Sequence, residues 1–71
     1  MPKQQYNCII FFADRKPAKY RGVTNVYSLW KYSEWNLSHS ITAINIYVKD
    51  TKSFVSQIKT INQAFDFTFK N

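Results

Sequence analysis

The sequence is short of almost everything that small proteins use for stapling, catalysis or membrane anchoring. Among its 71 residues there is one cysteine, one glycine, one histidine, two prolines and four acidic side chains. A lone cysteine excludes an internal disulfide, and small extracellular domains usually carry several. One Cys and one His fall short of the roughly four ligands that zinc requires. With Gly22 as the only glycine, there is no glycine-rich loop able to cradle phosphates. The longest apolar run, Cys8 to Ala13, has six residues, against the roughly 18 needed to cross a bilayer. Met1 to Gln5 lacks the pattern of a secretory signal. The expectation is a soluble, cytoplasmic chain with no transmembrane segment.

The scarcity of acids also argues against catalysis. Asp14 and Asp50 fall in predicted turns, Glu34 on a predicted helix, and Asp66 between phenylalanines, so structural or solvating roles are expected of each rather than a carboxylate pair in a shared cleft. Cys8 and His39 could in principle be brought together from distant parts of the chain as a nucleophile and base. Cys8, however, lies in an apolar strand where a thiol acts as a small hydrophobe, and His39, between Ser38 and Ser40, reads as a loop residue. The chain is therefore expected not to be an enzyme, and to hold no cofactor or metal.

What is abundant is aromatic and cationic. Six Phe, five Tyr and two Trp can each bury about 150–250 Å², which matters when a single core of this size supplies only roughly 3–5 kcal/mol. The formal charge is +6, and residues 1–31 carry six cations against Asp14 alone, whereas residues 32–71 carry four lysines against three acids. The positive field belongs to the first half. Abundant Lys, Asn, Ile, Phe and Tyr with one Gly also suggest an AT-rich coding sequence, which fits a bacterial, phage or plasmid genome.

Hydrophobic periodicity predicts a small α+β domain over 1–71: an antiparallel sheet of three to five strands with one helix on a face, in the order strand, strand, helix, strand, strand, with a further strand at the end. Gln5 to Ala13 reads as a central strand with both faces covered, because Ile9 to Phe12 has no polar alternation. Asp14 to Pro17 supply turn chemistry, and Lys19 to Val23 a return strand. Thr24 or Asn25 can cap a helix from Val26 to Trp35, with Asn36 as a left-handed terminator. Steps of 100° place Val26, Leu29, Trp30, Ser33 and Leu37 on its core stripe and Trp35 away from it. Ile44, Ile46 and Val48 alternate with Asn45, Tyr47 and Lys49. A three-residue turn, the expected one, would set Val48 opposite Phe54, Ile46 opposite Ser56 and Ile44 opposite Ile58, while a two-residue loop would set Val48 opposite Ser53 and Tyr47 opposite Phe54. Phe65, Phe67 and Phe69 alternate with polar residues and read as the final strand, or as a strand exchanged in a homodimer.

The functional expectation rests on the first hairpin. Arg15, Lys16, Lys19 and Arg21 supply phosphate-binding charge, Tyr20 supplies a ring, and Lys31 and Trp35 join them from the helix. Nucleic acid wants this mixture, since cations displace counterions from phosphates and exposed rings stack on bases. The rival expectation is a small adaptor or inhibitor that docks on another protein, such as an acidic protein surface, through Trp35, Tyr47 and a free sheet edge. Lys19 to Val23 share a few residues with a plant DNA-binding domain, and Arg21 and Gly22 with the start of an RNA-recognition motif. Neither match extends, so no role is transferred from either.

Overall fold

The computed structural model describes residues 4–37 and 40–70, without the side chains of 35–37. Strand β1 (Tyr6–Phe12) turns into β2 (Ala18–Val23), followed by helix α1 (Val26–Leu37), strands β3 (Ile41–Val48) and β4 (Phe54–Ile58), and helix α2 (Ile61–Phe69). The strands form one antiparallel sheet in the order β2-β1-β3-β4. The α+β class and the four strands agree with the expectation from sequence. No helix among the described residues is long and apolar enough to cross a membrane.

β1 is indeed a central strand, but its two faces differ. Cys8, Ile10 and Phe12 are buried toward the helices, while Asn7, Ile9 and Phe11 alternate to the other face and are half-buried. Among the described residues no helix covers that second face; the expectation that both were covered fails because α1 and α2 pack on the same side. Ile10 sits opposite Ala18 and Ile44, and Ile44 opposite Ile58, so one apolar row crosses the whole sheet. Cys8, Ile46, Val26, Trp30 and Ala64 close the core around it.

Asn25, not Thr24, caps α1: its Oδ1 accepts the Ser28 N–H at 2.9 Å, and its carbonyl accepts that of Leu29. Val26, Trp30 and Ser33 are buried with Leu29 packed beside them, as the helical stripe predicted. The helix continues through Asn36, which is therefore not its terminator. Residues 38 and 39, including His39, lie outside the described residues.

The β3–β4 hairpin combines the two registers that its sequence allows. Ile44 faces Ile58 and Ile46 faces Ser56, as the three-residue turn requires, yet Tyr47 faces Phe54 and the Val48 N–H donates to the Ser53 carbonyl, the register of the two-residue loop. Val55 absorbs the difference as a bulge, an extra residue on one strand. Val48 opposite Phe54 is thus not formed. The turn is held by Thr51, whose N–H and hydroxyl both donate to the Val48 carbonyl, and by Asp50 in the left-handed region at φ 61°. That conformation is one that Asp tolerates better than most residues.

The C-terminal segment is a helix and not a strand. Thr60 Oγ1 accepts the Gln63 N–H, and Gln63 Oε1 accepts the Lys59 N–H, a near-reciprocal cap that starts α2. From there Ala64 is buried, Ile61 and Phe67 pack against the core, and Phe67 meets the Tyr6 ring edge-on at 5.3 Å. Phe65 and Phe69, four residues apart, lie on the outer side against Tyr27. The Tyr27 N–H, a donor left over in the first turn of α1, is accepted by Thr68 Oγ1 at 3.0 Å and ties the two helices together.

Candidate ligand groove on the open sheet face

Side-chain alternation divides the expected hairpin site. Lys19 lies opposite Ile9 and projects, with Arg21, from the uncovered face of the sheet. Tyr20 points the other way and packs against the core, so it does not stand beside them as a base contact. Arg15 and Lys16 are at the turn between β1 and β2, roughly 15 Å along the strand from Arg21 at 3.3 Å per residue. There Arg15 lies over the Phe12 ring. Lys31 is exposed on α1, across the sheet from Lys19. The Trp35 side chain lies outside the described residues. The six expected contacts whose side chains are described therefore do not form one surface, and Lys19 and Arg21 are the pair that stays together.

Other parts of the chain complete a site around that pair. A groove of about 500 Å³ opens on the uncovered face at the end of the sheet where β1 begins. Its floor is Asn7 and Ile9, one wall is Lys19 and Arg21, and Tyr47 with the turn residues Thr51 and Lys52 forms the other. Two bulges shape this end of the sheet. Arg21 and Gly22 together oppose Asn7, and Val55 is the extra residue beside Tyr47 and Phe54. Gly22 has φ +72°, while a Cβ there would meet nothing closer than Gln5 Oε1 at 3.6 Å. Conformation, not space, is what calls for glycine at this bulge.

The electrostatics are those of an exposed rim. Arg21 Nε donates to Asp50 Oδ1 at 2.6 Å, linking β2 to the β3–β4 turn. This hydrogen bond, with the guanidinium charge and Lys49, holds the Asp50 carboxyl below the usual carboxylate range, and Asp50 in turn raises the Arg21 pKa. The pair therefore persists at neutral pH and is lost only as pH falls through the depressed Asp50 value. Being solvent-exposed, it adds little to stability and is readily exchanged for another anion. Lys19 and Lys52 are exposed on either side.

Tyr47 is the best-positioned group in the groove. The Phe54 ring meets it edge-on at 5.7 Å. Gln57 Nε2 donates to Asn45 Oδ1 at 2.8 Å, and Asn45 Nδ2 reaches the Tyr47 hydroxyl at 3.5 Å, a weak bond. Both donors run toward the phenol, so the Tyr47 O–H keeps its own proton to give away. Beside it, Asn7 Oδ1 is buried with no hydrogen-bond partner among the described residues. Tyr47 was legible in the sequence as a polar-face residue; Asn7 and Lys52 carried no signal, because only the sheet order brings them to Lys19. Among the described residues, no group of three or more His, Cys, Asp or Glu side chains could hold a metal. No protein family, curated protein or solved structure matches this chain.

Proposed function

We propose that this chain is a non-enzymatic nucleic-acid-binding module that uses the uncovered face of its sheet. The observation that carries the reading is the convergence of Lys19, Arg21 and Lys52 around Tyr47 in one groove on that face. Cations on both rims suit a sugar-phosphate backbone, and a fixed ring between them suits a base. The hairpin tip, with Arg15 and Lys16, adds distant charge and not the centre of the site.

The test is titration into labelled DNA and RNA, single- and double-stranded, across a salt series. Binding is expected to weaken linearly in log salt. The double variant Lys19→Glu, Lys52→Glu should lower that slope by about one to two and reduce affinity at least tenfold at low salt. Lys31→Glu with Lys59→Glu makes the same change in charge away from the groove and should do much less. Equal losses in the two variants would mean that net charge alone is at work, and the groove reading would fall.

A second reading, self-association, is favoured by the β4 edge. Phe54–Ile58 carries no charged residue, and Phe54 and Val55 are 58% and 39% exposed. The opposite edge bears Lys19 and Arg21, which would repel a second chain of charge +6. Two β4 strands can pair antiparallel about a two-fold axis. Sedimentation is then expected to show a dimer that Val55→Lys dissociates; a wild-type chain that stays monomeric at high micromolar concentration removes this reading.

A further inference from the structure

We infer that the groove is a subsite for one unstacked nucleotide, its base lying against Tyr47 and its phosphate held by Lys19, Arg21 and Lys52, so that the protein selects single strands over duplex. This inference rests on the nucleic-acid reading and names what the same groove would hold.

Size and lining both point there. A cavity of about 500 Å³ lies in the range of small-ligand sites, roughly 300–1,000 Å³, and is far too small for a helical segment of duplex. Its floor offers an apolar side chain, Ile9, next to the side-chain amide of Asn7. A base has the matching chemistry, with an apolar face and a polar edge. The Tyr47 ring already packs edge-on against Phe54, so less side-chain freedom is lost when a base stacks on it. Its hydroxyl proton is available to a carbonyl or phosphate oxygen.

Duplex cannot use these features. Its base faces are stacked on one another and its edges are paired, so it would offer the groove only phosphates. A phosphate entering the groove also meets an exchangeable partner. Arg21 is held by the exposed Asp50 carboxylate, and an incoming phosphate can take that place with Lys19 and Lys52 already on either side.

Fluorescence anisotropy with labelled oligonucleotides of about a dozen nucleotides tests this: mixed-sequence single-stranded DNA, the same sequence as RNA, and the DNA duplex, at one salt concentration. Single strands are expected to bind about tenfold or more tightly than duplex. Tyr47→Leu should cost about tenfold on single strands, the loss typical of one stacked base, and almost nothing on duplex. Tyr47→Phe should retain most of the affinity. If Tyr47→Leu proves unfolded in its circular dichroism melt, photocrosslinking of the wild-type chain to an iodouracil-substituted single strand decides instead. A crosslink at Tyr47 supports the subsite, and crosslinks confined to the helix layer overturn it. Duplex bound as tightly as single strands, or Tyr47→Leu without effect where Lys19→Glu with Lys52→Glu is damaging, overturns the subsite and leaves the nucleic-acid reading standing. No binding to any of the three removes both.

Discussion

Native Cys8 is expected to react with a thiol reagent about a thousand times more slowly than the same residue in the unfolded chain. The thiolate is the reactive species. Cys8 is 1% exposed, facing Ile46 and Tyr20 across the sheet, and burial pushes its pKa from 9.0 up to about 12. Three pH units remove roughly three orders of magnitude of thiolate at pH 8, before steric protection is counted. Labelling faster than this would proceed through transient opening of the sheet, where the thiol regains its ordinary pKa, and its rate would then report the stability of β1. Comparable labelling in buffer and in concentrated urea would show that Cys8 is not enclosed. The same shift has a consequence at alkaline pH. Because the folded state holds the proton more tightly, its contribution is complete below about pH 9 and is lost as pH rises toward 12. Cys8→Ala should remove that part of the alkaline destabilisation, although tyrosine and lysine titration will remain.

Ile44→Ala is expected to leave the domain close to unfolded at room temperature. Ile44 is fully buried at the centre of the sheet, opposite Ile10 on one side and Ile58 on the other, under the helices. Isoleucine-to-alanine changes in cores cost about 2–5 kcal/mol, as lost transfer energy plus a cavity. A chain of this length has only roughly 3–5 kcal/mol in hand. Phe65→Ala deletes a larger side chain but one that is 42% exposed on the outside of α2, and it should cost much less. Urea denaturation followed by circular dichroism compares the two. A loss below about 1 kcal/mol for Ile44→Ala would contradict the placement of the core on the Ile10–Ile44–Ile58 row.

Where periodicity and burial coincide, the fold was legible. Ile44, Ile46 and Ile58 show their common face directly in the alternation of β3 and β4, and Val26, Trp30 and Ser33 show theirs at helical spacing. Phe65, Phe67 and Phe69 have the two-residue period of a strand yet lie on a helix. In the helix only Phe67 of the three turns inward, and Thr60 with Gln63 was the cap signal that outweighs the alternation. The candidate site was half legible for a similar reason. A run of cations and a ring, Lys19, Tyr20 and Arg21, looks like one patch in linear order, but adjacent residues of a strand face opposite ways. Asn7, Tyr47 and Lys52 join Lys19 only through the order β2-β1-β3-β4, a long-range property that local patterns do not encode.

The two bulges flanking the groove have an evolutionary meaning. Gly22 and Val55 each break a ladder near the groove, while the Ile10–Ile44 and Ile44–Ile58 pairs remain in regular register further along the sheet. Gaining or losing one residue at either place would move a rim of the groove, with Arg21 on one side and the Asp50 to Lys52 turn on the other, without shifting the core. Descendants of this chain could therefore change the width of this groove by single-codon insertions and deletions while keeping the same folded scaffold, so that the shape of the open face and the stability of the core are free to diversify separately.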